Sequence, residues 1–107
     1  MNVRFLTDAI EDARLAGDRL DREEPGFGER FAAELRKGVE RIHTSPRLCP
    51  KTEDGPDEPE NREYFMRLFN YRVIFAIWKD EAVIVAVIHA ARPPAMWVPR
   101  LAQIDDN

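Results

Sequence analysis

The chain has 107 residues, 44% hydrophobic and 34% charged, with a formal net charge of −4. That length holds one small domain (1–107) with a single core, and the composition excludes fibrous and disordered classes. An acidic total excludes a protein whose main affinity is for phosphate backbone through clustered Lys and Arg, and the longest apolar run, 82–88, falls far short of the roughly 20 residues of a membrane helix.

Val3-Arg4-Phe5-Leu6 alternates weakly and suits a short strand that joins a sheet formed by later residues. Thr7 or Asp8 then offers a helix N-cap, and Asp8 with Glu11 has capping-box spacing. Ala9, Ala13, Ala16 and Leu20 form one apolar stripe, which predicts a first helix ending near Asp21. Glu23-Glu24-Pro25-Gly26 breaks it. A second helix follows over about 27–44, with Phe27, Phe31, Leu35, Val39 and Ile42 as its stripe. So short a connection predicts an antiparallel helical hairpin. Gly17 and Gly38 each cost about 1 kcal/mol inside a helix relative to Ala. Their presence predicts close approach, of the helices to each other or to the sheet.

Ser45-Pro46 ends the second helix, and residues 51–62, KTEDGPDEPENR, contain acids, two prolines and a glycine but no apolar side chain. This reads as an acidic surface loop, either a solvated insertion or a flap that shields a basic sheet from wrong partners. Three β-rich runs follow, 63–69, 71–78 and 82–91, with turns at Asn70 and at 79–81. Residues 82–88 are apolar on both faces, so that strand is expected to be central and covered on each side. The helices can cover one face. The other is left to the tail, to a partner or to both. Pro93-Pro94 stops strand pairing, and 93–107 forms a C-terminal tail bearing Met96 and Trp97, with 105–107 expected to fray. The expected fold is therefore α+β, in the order β-α-α-β-β-β, with a helical hairpin on a small, mainly antiparallel twisted sheet.

Charge is unevenly distributed. Residues 64–100 hold five cations (Arg67, Arg72, Lys79, Arg92, Arg100) against two acids, whereas residues 1–63 hold eleven against sixteen. No phosphate loop, zinc motif or nucleophile elbow occurs, and no cofactor or metal is expected. Cys49 is alone, which allows no internal disulfide, and no export signal opens the chain; a cytoplasmic setting is expected. His43, in the last turn of the second helix, suits a favourable interaction with the helix dipole. Arg72, His89 and Arg92 would lie on neighbouring strands near one end of the sheet. Arg suits bidentate recognition of phosphate or carboxylate, His suits proton transfer, and surface salt bridging with the acidic loop is the plain alternative for the arginines.

The element order, with ERFAAEL at 29–35, IHTSPRLCP at 42–50, YRVIF at 71–75 and HAARPPAMW at 89–97, resembles the RelE/ParE superfamily of bacterial toxins from two-gene toxin–antitoxin modules, often described as plasmid stabilisation proteins. RelE-like members are lysine- and arginine-rich ribosome-dependent mRNA endoribonucleases with a Tyr or His at the very end of the last strand, where Ala91 and Arg92 stand here. The form H-x-x-R-x-P-x-x-W, filled by His89, Arg92, Pro94 and Trp97, looks like the ParE branch, whose studied members inhibit DNA gyrase. The resemblance implies a toxin without chemistry of its own that binds its target through Arg72, His89, Arg92, Trp97 and Arg100. It further implies a hetero-oligomer with a cognate antitoxin, ParD-like or another small protein, contacted by Tyr71, Phe75 and Met96. No direct sequence-specific DNA binding by this chain is expected. The alternatives are a ribonuclease using Arg72 for charge stabilisation and His89 for proton transfer, or an inactive relative.

Overall fold

The computed structural model describes residues 1–105. Its order is β1 (Asn2–Phe5), α1 (Thr7–Glu23), α2 (Phe27–Thr44), β2 (Asn61–Met66), β3 (Tyr71–Trp78) and β4 (Glu81–His89), followed by short 3-10 turns at Pro94–Met96 and Val98–Gln103. The sheet order is β1-β4-β3-β2, with β1 parallel to β4 and the other pairs antiparallel. This is the expected α+β arrangement, with the doubly apolar β4 inside the sheet. Lys79 and Asp80 both take positive φ (50° and 62°), the pairing a two-residue β-hairpin turn needs, and Asn70 (φ 58°) makes the turn expected of it.

Four local expectations are corrected. α1 begins at Thr7 on Leu6 with no side-chain cap, so Asp8 and Glu11 form no capping box; Glu11 pairs with Arg14 instead. α1 also runs past Asp21, whose Oδ1 accepts the N–H groups of Gly26 (3.0 Å) and Gly28 (3.1 Å) and so caps the start of α2. β2 starts at Asn61 and ends at Met66. The alternation expected through Phe69 therefore breaks in the turn, and Phe69 packs on Phe27 and Phe31. Gly38 does mark a close approach, because a Cβ there would stand 2.6 Å from Tyr64 Cδ1, whereas a Cβ on Gly17 would meet nothing within 4 Å.

One sheet face lies under the helices, where Tyr71 meets Phe31 of α2 edge-on and Tyr64 lies against Gly38. The opposite face is closed by the chain itself. Trp97 is completely buried, with Leu101 and Ile104 buried after it, and Trp78 Nε1 donates to Asp105 (3.0 Å). The tail thus fastens at Asp105; the fraying expected of Asp106 and Asn107 lies outside the described residues. His43 ties down the other terminus, its Nδ1 2.7 Å from the Met1 carbonyl and its own carbonyl accepting from the Met1 ammonium (2.9 Å).

Val85 is an extra residue in β4, since Ile74 pairs with Ala86 and Phe75 with Ile84. β1 pairs only as far as Ile84, so beyond it the outer edge of β4 needs other partners. Arg100 Nη1 donates to the Val85 carbonyl (3.0 Å), and Asp12 Oδ2 accepts the Val87 N–H (3.0 Å). Asp12 and Arg100 also bind each other, at 2.6 and 3.1 Å.

Candidate functional site

Neighbouring strand residues point to opposite faces, and this decides the geometry of the site. Tyr71 pairs with His89 across β3 and β4, their rings meeting edge-on 5.6 Å apart on the helix face. Arg72, the next residue, therefore projects through the other face, where its guanidinium sits 6.0 Å over the Trp97 ring. Arg72 and Trp97 therefore lie on one face of the sheet and His89 and Arg92 beside the other, so the two arginines, the imidazole and the indole expected near one end of the sheet do not share one surface.

On the tail face Arg72 is 7% exposed and fully engaged. Its Nη1 and Nη2 grip both oxygens of Asp54 (2.9 and 2.8 Å), and its Nε and Nη2 bond Glu63 Oε1 (3.1 and 2.7 Å). The hydrogen bonds from Arg72 hold the Asp54 carboxyl below the usual range, and reciprocally the guanidinium is held charged more firmly than usual. Asp54 belongs to the acidic loop, which is pinned rather than loosely solvated. Asn61, itself buried, donates to the carbonyls of Pro56 (2.8 Å) and Pro59 (2.7 Å) and accepts from the Thr52 hydroxyl. Glu60 is held by Arg47 and Arg62, which lower its carboxyl in that order. Gly55 lies directly on the indole: a Cβ there would be 2.5 Å from Trp97 Cη2. A recess of about 350 Å³ beside the clamp is lined by Pro50, Lys51, Glu53, Asp54, Glu63, Arg72 and Ala90.

On the opposite side a groove of about 550 Å³ runs between α1 and the end of β4. His89 and Arg92 line it with Arg19, Leu15 and Met96. Leu15 is 53% and Met96 41% exposed. Arg92 is exposed and makes no ion pair among the described residues. His89 Nδ1 accepts the Ala91 N–H (3.0 Å), which orients the ring at the strand end. Tyr71 is buried, its hydroxyl accepting from Arg19.

Of the residues expected to meet partners, Arg92 and Met96 therefore present open surface, while Phe75 and Trp97 are fully enclosed and Arg100 is committed to Asp12 and β4. Sequence reasoning missed Asp54, Asn61, Glu63 and Asp12. The only signal for Asp54 was its place in an acidic loop opposite a cation-rich stretch. Among the described residues no group of three or more His, Cys, Asp or Glu is placed to hold a metal ion. Burial pushes the Cys49 thiol pKa up, as expected of an inert thiol. No described helix is long and apolar enough to cross a membrane.

No curated protein sequence matches the chain. Among solved structures, a chain of the chromosomal ParDE TA system from P. aeruginosa superposes with a TM-score of 0.69 at 12% identity, covering 83% of this chain and 95% of that one. The isolated E. coli RelE toxin superposes with a TM-score of 0.59 at 19% identity, covering 89% of each chain. At these identities the two likenesses establish the fold. The sequence profile described as ParE toxin of type II toxin-antitoxin system, parDE, matches residues 3–94, and the chain belongs to that family of toxins.

Proposed function

We propose that this chain is the growth-arresting member of a type II toxin–antitoxin pair, that it acts by binding DNA gyrase, and that a cognate antitoxin neutralises it. The observation that carries this reading is the division of Arg72 from His89 by the sheet. A ribonuclease needs its charge-stabilising group and its proton carrier around one scissile phosphate. Here the arginine is gripped by Asp54 and Glu63 on one face and the imidazole borders a groove on the other. The open groove instead has the character of a protein-binding surface, with an exposed arginine, unpaired among the described residues, next to exposed Leu15 and Met96. Arg92 and Met96 are its contacts, and His89 positions the strand end beneath them. Arg72, Trp97 and Arg100 hold the scaffold in this conformation.

Controlled expression in a bacterium tests the reading. Filamentation with an induced DNA-damage response, together with inhibition of supercoiling by purified gyrase, is the expected outcome. Rapid loss of translation with mRNA cut at ribosomal positions would replace it with the ribonuclease reading, and unimpaired growth with retained antitoxin binding would identify an inactive relative.

A further inference from the structure

The Arg72 clamp has the form of an occupied binding site. Paired guanidinium nitrogens meeting both oxygens of one carboxylate is how arginine grips an acidic side chain of another molecule. Here the carboxylate comes from a segment, 51–60, that has two prolines and a glycine but no large apolar side chain to anchor it. At its tip it meets the tail face through the Asp54 grip and the contact of Gly55 with the indole, while its ends are held by Asn61, which bonds Thr52, Pro56 and Pro59, and by the pairing of Glu60 with Arg47 and Arg62. Glu63 remains on Arg72 from within the sheet, so lifting Asp54 away leaves a neutral ion pair and no bare buried cation. Beneath the segment, Trp97 Nε1 is buried without a hydrogen-bond partner, although the indole lies near enough to Asp54 to help hold its carboxyl down. A buried donor left without a full hydrogen bond costs free energy. The indole donor thus faces the carboxylate position beside the guanidinium.

We propose that residues 51–60 form a self-inhibitory strap in which Asp54 occupies, as an internal stand-in, a carboxylate site made by Arg72 and the Trp97 indole, and that an acidic side chain of a protein partner displaces it. The proposal rests on reading the chain as a protein-binding toxin. Displacement by a partner lifts the strap, uncovers the indole and adds a second contact surface to the groove on the opposite face.

The test uses the full chain carrying Trp78→Phe, so that Trp97 alone reports fluorescence. In Asp54→Ala, acrylamide quenching of Trp97 rises and amide exchange quickens across 51–60 while β3 and β4 stay protected. A hexaglutamate peptide binds this variant about tenfold more tightly than the parent, the gain expected when a site open about a tenth of the time becomes fully open; Arg72→Gln removes the binding, and hexaglutamine does not bind. Asp54→Asn, which keeps the shape of the side chain, repeats the comparison should the alanine variant unfold. Equal peptide affinity for the parent and a folded Asp54 variant, unchanged quenching, or binding indifferent to Arg72→Gln overturns the strap. Inorganic phosphate binding more tightly than the peptide overturns the assignment to a carboxylate. These measurements are made on the isolated chain, so they fail independently of the growth and gyrase assays that decide the toxin reading.

Discussion

Gly38 sets how closely α2 lies on the sheet, and replacing it gives a measurable energy. A Cβ at this position would stand 2.6 Å from Cδ1 and 2.8 Å from Cε1 of Tyr64, against an ordinary carbon–carbon separation of about 3.5–4.0 Å. The ring or the helix must retreat by about 1 Å. Overpacking of this kind costs about 1–3 kcal/mol, while Ala in place of Gly inside a helix returns about 1 kcal/mol. Gly38→Ala is thus expected to lose about 1 kcal/mol net, and Gly38→Leu considerably more. With Tyr64→Ala in the background the obstruction is gone and only the helix preference remains, so the same Gly38→Ala change should stabilise by about 1 kcal/mol. The coupling between the two sites is then about 2 kcal/mol, well above the few tenths seen for independent positions. Urea unfolding of the four proteins measures it, the net loss appearing as a midpoint shift of about 0.5 M for a slope of about 2 kcal/mol/M. If Gly38→Ala stabilises equally whether residue 64 is Tyr or Ala, the close approach does not constrain the helix.

Trp97→Ala should cost about 3–5 kcal/mol by thermal or urea unfolding, the range for emptying a large buried aromatic site; a loss below about 1 kcal/mol would show that the tail does not close the sheet. Arg92→Ala should leave stability within about 0.5 kcal/mol yet weaken the proposed gyrase inhibition about tenfold, as truncating a dominant interface arginine does, and full inhibition by that variant would remove the groove from the proposed target site. Acid should erode the clamp in a defined direction. The native Asp54 carboxyl is depressed by Arg72, and that of Glu60 by Arg47 and Arg62, so the unfolded chain binds protons first as pH falls. The stability difference between parent and Asp54→Asn should be complete above about pH 5, shrink as pH drops below about 4 and vanish once the native carboxyl is protonated; a difference unchanged from about pH 7 to about pH 2.5 would refute the assigned cause.

The elements were legible because their physics is local. Apolar spacing marked both helices, β-branched runs marked β3 and β4, and Asn70 announced its turn. The parting of Arg72 from His89 was also present in principle, since Tyr71 pairs with His89 and strand residues alternate, but using it required the register, which a bulge at Val85 shifts elsewhere in the same ladder. The fate of the tail and the loop was not legible. Residues 51–62 contain no large apolar side chain to signal packing, so nothing local says that Asp54 reaches Arg72 eighteen residues away. The same silence concealed Trp97, whose sequence surroundings suit an exposed contact as well as a buried plug. Asp12 reads as one more acid on a helix until the edge of β4 is placed beside it.

The parallel pairing of β1 with β4 has a temporal consequence. A chain emerging from the ribosome from its amino end can form the α1–α2 hairpin early, because those contacts are near in sequence. Its opening strand, however, waits for a partner some eighty positions later, as the bond from Leu6 N–H to the Ile84 carbonyl requires (2.9 Å). Such distant closure is slow and leaves hydrophobic surface uncovered meanwhile. A shortened translation product ending before β4 therefore keeps the residues of the Arg72 clamp but lacks the β4 wall of the groove and leaves its opening strand unpaired.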